Sequence, residues 1–330
     1  MKKRISIILL GIVFLDILLL LVNTAPFPNV FDRGTYFSKM NSKLVWMAIF
    51  DCIFIGMYLL LRRNFDVIYD LVKCKNILWN LSKNDFKSRF VGSYLGVFWA
   101  FVNPIVTILL YWFVFQSFFG SGPVDGYPYV LWFSSGLITW FIFSEGLTNA
   151  TNALLEYAYL VKKVVFQVDI LPMVKIISAS FVHFVFLVII LIISSCMGYY
   201  PSLYTLQVFY YFICMIVLLM ALTYATSAIV LFFRDLGQFI NVFMQVFMWM
   251  TPIMWNLSSQ LPQWLAPFRW IFMLNPVYYI VQGYRDALIY RVSVFQHLAY
   301  TAYFWILITL LLRLGTSVFK RLRPHFADVL

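Results

Sequence analysis

The chain has 330 residues, of which 63% are hydrophobic and only 11% are charged, and its mean hydropathy is +0.87. A soluble domain cannot bury that much apolar surface, so the composition excludes a soluble globular protein and predicts that lipid surrounds most of the chain. The 24 Lys and Arg residues outnumber the 13 Asp and Glu residues. In so apolar a chain this excess indicates membrane topology rather than nucleic-acid binding, because basic residues collect in cytoplasmic loops.

Apolar runs long enough to cross a bilayer recur along the chain. A spanning helix takes about 20 residues. The predicted spans are residues 5–22, 44–61, 94–119, 129–147, 170–197, 206–233, 239–255 and 299–314. These runs predict an all-α integral membrane protein with eight spans. We divide it into two accessory N-terminal helices (residues 1–61), an interfacial region (residues 62–92) and a transmembrane core (residues 93–330).

The stretch between the last two predicted spans is apolar but repeatedly interrupted. The interrupting prolines are Pro262, Pro267 and Pro276, and the charged residues are Arg269, Arg285, Asp286 and Arg291. Broken helices at membrane depth persist only where protein or a water-filled cavity shelters them. The sequence therefore predicts re-entrant half-helices before the last span.

The distribution of basic residues predicts the orientation. If the N-terminus is inside, 18 of the 24 basic residues fall on the cytoplasmic side. The six outside are Arg33, Lys39, Lys43, Arg269, Arg285 and Arg291. Both termini are therefore predicted to be cytoplasmic. A cleaved signal peptide is the alternative for the N-terminal MKKR and the apolar run after it, but VNTA at residues 22–25 is a poor cleavage site.

Two acidic residues lie inside the first two predicted spans. Asp16 and Asp51 would reach similar depth near the bilayer centre if these helices are antiparallel. An acid inside a membrane span is a functional candidate by default. The alternative is a protonated carboxyl pair that holds the two helices together, since neither span carries a base to neutralise them.

The sequence carries no pattern for a cofactor. Its four cysteines and three histidines are scattered without metal-binding or redox spacing. It also lacks the G-x-x-x-x-G-K-[S/T] phosphate loop and the glycine-rich dinucleotide turn. We therefore expect that this chain binds no cofactor and no nucleotide by itself.

A basic, amphipathic segment directly precedes the first core span. Its apolar residues fall in one sector of a helical wheel, and they are Ile68, Val72, Trp79, Phe86 and Phe90. This pattern predicts a helix lying in the cytoplasmic membrane interface, with Lys75 and Lys83 reaching toward headgroups. Gly92 and Gly96 would allow the bend into the span. A plain basic flank of the membrane span is the alternative.

Residues 84–115 read NDFKSRFVGSYLGVFWAFVNPIVTILLYWFVF. This stretch resembles the start of the permease subunit of ABC-2 type exporters of lipid-linked polysaccharides, in which a basic gate helix precedes a G-S-x-L-G-x-x-W-x-x-x-x-P entry into the first core span. The matching residues are Gly92, Ser93, Leu95, Gly96, Trp99 and Pro104.

Two further motifs follow in the order that this family has them. The first reads SSGLITWFIFSEGLTNATNALLEYAYLVKKVVFQVDILP, and its matching residues are Glu145, Asn149, Asn152, Leu155, Glu156, Lys162, Lys163, Phe166 and Pro172. The second is TPIMW with Pro252, then Pro262, then LNPVYYIVQGYRDALIY with Asn275, Pro276 and Arg285. The resemblance covers roughly residues 70–320. Residues 1–61 depart from the six-span pattern of the family.

The resemblance implies the partners and the cargo. Such permeases form homodimers and pair with two cytoplasmic ATPase subunits, which bind the ATP and Mg that this chain does not. They export O-antigen, teichoic acid or a similar lipid-linked glycan across the bacterial plasma membrane. The segment of residues 152–166 would transmit ATP-driven closure. The coupling candidates are Glu156, Tyr157, Lys162, Lys163, Arg234 and Asp235.

Two further sets of candidates concern the substrate. The gate-helix residues expected at the lipid pyrophosphate are Trp79, Lys83, Phe86, Lys87, Arg89, Phe90 and Gly92. The aromatic residues expected along a translocation path are Trp99, Trp112, Phe115, Phe119, Phe239, Phe243 and Phe247. Sugar C–H faces stack on aromatic rings, but lipid contact and helix packing account for most membrane aromatics.

Two alternatives to polysaccharide export stay open. One is an energy-independent scramblase or channel for lipid-linked glycans, with the resemblance reflecting the fold alone. The other is an ABC-2 exporter of drugs or small lipids.

Overall fold

The computed structural model describes residues 45, 48–56, 65–120, 122–162, 166–258 and 260–330. Residues 48–56, inside the second predicted span, are helical and include Asp51. The first predicted span and Asp16 lie outside the described residues, so the pairing of the two acids stays a prediction. Helices are the regular secondary structure of the described ranges, which contain no strand beyond one isolated bridge between Val124 and Tyr127.

Thirteen α-helices, numbered here in chain order, follow from residue 65 onward. They are α1 Phe65–Lys73, α2 Lys75–Ser88, α3 Trp99–Ser117, α4 Tyr129–Thr151, α5 Ala153–Glu156, α6 Ala158–Val161, α7 Leu171–Cys196, α8 Gln207–Phe232, α9 Asp235–Met250, α10 Arg269–Met273, α11 Pro276–Arg285, α12 Leu298–Leu322 and α13 Phe326–Val329. We call α2 the gate helix.

Five helices are long and apolar enough to cross a membrane. With their short flanking turns they are Gly96–Ser117, Tyr129–Thr151, Val168–Cys196, Leu203–Phe232 and Val294–Val329. Each coincides with a predicted core span, so the prediction of long apolar helices at these five places is confirmed. The all-α fold class is also confirmed for the described part of the chain.

The predicted span at residues 239–255 is a shorter helix. Helix α9 has 16 residues, so it measures about 24 Å, whereas the hydrocarbon core is about 30 Å thick. It ends at Met250 because Pro252 follows: the residue before a proline is driven out of the helical region, and Thr251 is extended with φ −89° and ψ 123°. A sixth core span, the total of eight and both cytoplasmic termini stay predictions.

Helix α4 forms the centre of the bundle. Most of its side chains are buried, including Phe133, Leu137 and Phe143, and α7, α8 and α11 pack around it. Helix α3 lies at the edge, and none of its described side chains is buried.

A smaller apolar core joins the ends of several helices. It contains Val67 of α1, Leu154 of α5, Tyr224 of α8, Phe319 of α12 and Phe326 of α13. The side chain of Arg323, just after α12, donates a 2.6 Å hydrogen bond to Asp169, just before α7. This core therefore fixes α1, the turn after α4 and the C-terminal residues to one end of the bundle.

The proline-interrupted stretch forms two short helices, as the sequence predicts. Helix α10 is largely exposed, and α11 is largely buried. Asn275 caps α11, because its Oδ1 accepts a 2.9 Å hydrogen bond from the Val277 amide, and Pro276 occupies the first turn. The Asn275 amide also donates to Thr251 Oγ1 at 2.9 Å, which ties this cap to the chain just after α9. Whether the pair is re-entrant in a membrane stays a prediction.

The contact between α8 and α12 yields a first prediction. A Cβ added at Gly315 would lie 2.2 Å from the carbonyl oxygen of Ala221, so only glycine lets the two backbones approach this closely. Overpacking costs about 1–3 kcal/mol. Gly315→Ala should therefore lower the melting temperature of the detergent-solubilised protein.

Gly122→Ala is the matched control, because a Cβ there meets nothing within 4 Å. Equal melting temperatures for the two variants would show that α8 and α12 do not touch at Gly315.

Candidate functional site

The gate helix packs on α7 with one face and leaves the other open. Its buried residues are Leu78, Ser82 and Asp85, and Trp79 and Phe86 contact Phe181 of α7 edge-on, with ring centroids 5.4 and 5.6 Å apart. The buried centre of the packed face is therefore formed by Leu78, Ser82 and Asp85, which are not members of the predicted apolar stripe.

The apolar stripe of the amphipathic pattern divides between packing and exposure. Val72 and Trp79 are exposed, whereas Phe86 and Phe90 are partly buried and contact each other with centroids 5.7 Å apart. The side chain of Ile68 lies outside the described part of the chain. Contact of the stripe with a membrane interface stays a prediction.

The carboxylate of Asp85 is the most connected group on the gate helix. Its Oδ1 accepts hydrogen bonds from Lys175 Nζ at 2.6 Å and from Tyr157 Oη at 2.8 Å, and its Oδ2 accepts one from Arg89 Nη2 at 3.1 Å. Lys175 belongs to α7, and Tyr157 lies between α5 and α6. Asp85 therefore joins the gate helix to α7 and to the predicted coupling segment.

Two of the cations in this cluster each bridge two acids. Lys175 also donates to Glu156, and Arg89 also donates to Glu145 near the end of α4. The result is a chain of five alternating charges, Glu145, Arg89, Asp85, Lys175 and Glu156, which we call the charge chain. It connects the gate helix, α4, α5 and α7.

The charge chain holds Asp85 in its ionised form. Burial alone would raise the pKa of Asp85, but the hydrogen bonds from Lys175 and Tyr157 and the charge of Lys175 outweigh it and lower the pKa below its ordinary value of 3.8. A carboxyl group whose pKa is lowered by folding stabilises the fold at pH values above its ordinary pKa. This contribution is lost as the pH falls through the lowered pKa. The attachment of the gate helix is therefore at full strength at neutral pH.

Tyr157 is the matching donor to this carboxylate. Burial raises the pKa of Tyr157, and the hydrogen bond to ionised Asp85 raises it further. Its hydroxyl group therefore stays protonated at neutral pH and donates a hydrogen bond to Asp85.

The three basic gate-helix candidates are not equivalent. Lys83 and Lys87 are exposed, and Lys83 Nζ lies 6.0 Å from the ring centroid of Trp79. Arg89 is partly buried and occupied by Asp85 and Glu145. The structure thus leaves Lys83 and Lys87 open to a ligand, whereas Arg89 acts within the charge chain.

The two glycines after the gate helix adopt backbone conformations that favour glycine. Gly92 has φ +84° and Gly96 has φ +54°, and this left-handed region costs a residue with a Cβ about 1–2 kcal/mol. Both glycines therefore lie in the break between the gate helix and α3, and the angle of the bend into the first core span stays a prediction.

The predicted coupling residues lie at the same end of the molecule as the charge chain. Glu156 is half exposed, and Lys162, Arg234 and Asp235 are exposed, whereas Lys163 lies outside the described residues. The turn that begins α9 lies close to the coupling segment, because a Cβ at Gly237 would be 3.1 Å from Asn152 Oδ1.

The two aromatic stripes differ in exposure. Phe239, Phe243 and Phe247 of α9 stack in succession, with centroids 6.3 and 5.2 Å apart, and the first two are exposed. On α3, Phe115 packs against Phe133 and Tyr129 of α4.

The remaining candidates, on α3 or just after it, lie at the edge of the bundle. Trp99 and Phe119 are exposed, and Trp112 is partly buried. The α9 stripe is therefore the more continuous open ring surface of the two.

Arg285 is a buried anchor rather than a ligand site. Its guanidinium donates to the carbonyl oxygens of Pro252 at 3.0 Å and Ile253 at 2.8 Å, and it lies 3.6 Å from the ring centroid of Trp132. A Cβ at Gly136 would lie 2.9 Å from its Nη2, so this glycine makes room for the side chain. Arg285 thus fixes α11 to α4 and to the segment after α9. Pro262 lies outside this arrangement, before α10.

Sequence reasoning missed three members of this site. Asp85 and Lys175 carry the centre of the charge chain, and Trp132 carries the Arg285 contact. The i,i+4 spacing of Asp85 and Arg89 was the available indication of an ion pair on one helix face. The described residues contain no group of His, Cys, Asp and Glu side chains that could hold a metal ion.

The charge chain yields a second prediction. Lys175→Met removes the cation between Asp85 and Glu156, and breaking a buried ion pair by removing one partner costs about 3 kcal/mol. Backbone amides of residues 75–88 should then exchange hydrogen faster. Lys87→Met, which removes an exposed lysine from the same helix, should leave the exchange unchanged. Equal exchange in both variants would show that Lys175 does not hold the gate helix.

The amino-acid sequence is similar to those of known permease proteins. The chain is 25% identical over 264 residues to the O-antigen export system permease protein RfbA of Klebsiella pneumoniae, a match that covers 79% of this chain and 98% of that protein. It is 24% identical over 265 residues to the protein of the same name from Myxococcus xanthus, with the same coverage.

A family match extends along the chain from the gate helix to the short helices before the last span. The model of the ABC-2 type transporter family matches residues 77–289, which include the charge chain, Arg285 and four of the five long apolar helices. Members of this family are membrane transport subunits, and the long apolar helices make this chain a multi-pass membrane protein. The chain belongs to the ABC-2 type transporter family.

Proposed function

We propose that the chain is the permease subunit of an ATP-driven exporter of a lipid-linked polysaccharide in the bacterial plasma membrane. Two copies would form the transmembrane unit, and two cytoplasmic ABC ATPase subunits would bind the ATP and Mg. The cargo class is a glycan of the O-antigen or teichoic acid kind. The observation that carries the proposal is the match along nearly the full length of permeases named for O-antigen export.

The absence of a phosphate loop from the sequence supports a separate ATPase. P-loop ATPases bind the phosphates with a glycine-rich loop and its lysine, and the 330 residues contain no such motif. The exposed residues Glu156, Lys162, Arg234 and Asp235 form a polar surface at one end of the bundle. This surface is where we expect the ATPase to bind.

The open face of the gate helix supports an anionic lipid headgroup as the part of the cargo that is recognised first. Lys83 and Lys87 are exposed on it. A basic residue near a membrane surface contributes about 1 kcal/mol to binding an anionic headgroup. A lipid pyrophosphate that enters from the cytoplasmic leaflet would meet both lysines, while Arg89 stays within the charge chain.

Unburied apolar helix faces support the dimer. No described side chain of α3 is buried within the chain, and α9 exposes Phe239 and Phe243. A second copy could cover part of this surface, and the aromatic rings that remain open would line a path on which sugar C–H faces slide.

The gate helix yields the third prediction. Lys83→Glu combined with Lys87→Glu should slow export about tenfold or more, since two attractive contacts become repulsive, while basal ATP hydrolysis persists. The measurement is transport of a lipid-linked glycan into vesicles reconstituted with the permease and its ATPase. Lys73→Glu combined with Arg321→Glu is the matched control, because it makes the same charge change at exposed positions outside the gate helix.

The same vesicles separate the alternative functions. Translocation at full rate without ATP would favour the scramblase or channel. ATP-driven transport of a small lipid but not of a lipid-linked glycan would favour the other cargo class. Undiminished glycan flux in the Lys83 and Lys87 double variant would contradict the role given to the gate helix.

A further inference from the structure

An open groove lies between the end of α9 and α10. Its volume is about 560 Å³, which is within the range of about 300–1,000 Å³ that is usual for small-molecule sites. One wall is the last turn of α9, and the other is α10 with the turn before it. Its lining includes Val246, Trp249, Trp255, Gln260, Leu265 and Phe272. The described lining contains no residue of the charge chain or of the gate helix.

The lining of the groove is almost entirely apolar. Among its described residues, Gln260 and the two tryptophans are the only ones whose side chains carry a nitrogen or oxygen atom. Trp255 donates its indole N–H to the carbonyl oxygen of Trp249 at 3.1 Å, and its ring packs edge-on against Phe272 with centroids 5.3 Å apart. The hydroxyl groups of a glycan would lack partners here, which is costly, whereas a hydrocarbon chain needs none. The groove therefore fits a hydrocarbon chain.

A single cation lies at the margin of the groove among the residues that the structure describes. Arg269 is three residues before Phe272 on α10, so the two side chains are neighbours on the helix surface. Its Nη2 donates to Ser258 Oγ at 3.2 Å, which ties the guanidinium group to the chain just before Gln260. Arg269 is exposed and forms no ion pair with a described residue. Its remaining N–H donors are open to an anion, and a phosphate matches their geometry.

Exposed tryptophans surround this cation. Trp264 and Trp270 lie on either side of Arg269 in the sequence, and their exposed fractions are 74% and 57%. Indole rings concentrate at the level of the lipid headgroups in a membrane. At that level the phosphates of lipids lie above their acyl chains. A cation among exposed indoles, next to an apolar groove, therefore has the arrangement that a phospholipid requires.

We propose that this groove binds an acyl chain of an anionic phospholipid from the surrounding membrane, with the lipid phosphate at Arg269. The lipid would fill the space between the end of α9 and the largely exposed α10, and so hold the two together. A backbone segment of a second copy fits less well, because its amide and carbonyl groups would find no partners in an apolar lining. The inference depends neither on the cargo nor on the ATPase.

The chain contact is tested with a phosphatidylglycerol that carries a photoreactive diazirine in its acyl chain. The protein is reconstituted in phosphatidylcholine vesicles containing this probe, and labelled peptides are mapped by mass spectrometry. Labelling should concentrate in residues 246–272. Val246→Trp, which fills the groove, should reduce it several-fold. Val242→Trp is the matched control, because Val242 is exposed one turn earlier on α9 and does not line the groove. Both valines are exposed, so neither substitution disturbs the packed core.

The phosphate contact is tested by competition in the same vesicles. Unlabelled phosphatidylglycerol should displace the probe at a lower concentration than unlabelled phosphatidylcholine. Arg269→Gln should reduce this preference about fivefold, which is the effect expected of one basic residue at a membrane surface. Arg291→Gln is the matched control, because Arg291 is also exposed and also donates to one neighbour, the carbonyl oxygen of Tyr200.

The outcomes distinguish the possible occupants. Equal labelling in the Val246→Trp and Val242→Trp variants would overturn the groove as the chain site, and an unchanged preference in Arg269→Gln would overturn the phosphate contact. Crosslinks between two copies at the groove, in place of lipid labelling, would overturn the lipid in favour of a second copy. Displacement of the probe by a lipid-linked glycan but not by phosphatidylglycerol would overturn it in favour of the cargo.

Discussion

The burial of one carboxylate, that of Asp85, sets the arrangement at one end of this molecule. Removing a carboxylate from water costs several kcal/mol unless a cation and further donors compensate. Asp85 receives them from α7, from the turn at Tyr157 and from its own helix. The gate helix can therefore bury this face only where these groups meet, which places it beside the coupling segment.

The gate helix thus divides its charges between two faces. Asp85 and Arg89 face the protein and hold the helix there, whereas Lys83 and Lys87 face outward and stay free. In the proposed exporter the outward face of this helix would meet the lipid headgroup, while the inner face stays attached to the bundle through Asp85 and Arg89. Since the two faces of a helix move together, the ion pairs on the inner face also fix the position of the two outward lysines.

The sequence predicted the features that depend on local patterns. Apolar runs of spanning length located five helices, and Gly92 and Gly96 marked the break between the gate helix and α3, where φ is positive. The missed features depend on residues distant in the chain: Lys175 is 90 residues from Asp85. Lys175 contributes to the cytoplasmic charge bias, yet it is buried and paired, because a count of bases cannot tell a solvated lysine from a partnered one. The early end of α9 followed from Pro252, a local cause that hydropathy alone does not weigh.

Two buried cations among the described residues are compensated in different ways, and the difference concerns what holds each of them. Arg285 is held by backbone carbonyls and the Trp132 ring, which no outside charge can displace because they are fixed by the fold. Lys175 is held by two carboxylates, one of which is half exposed. Arg285 is therefore held by groups that the fold fixes, and Lys175 is held by side chains, one of which solvent reaches.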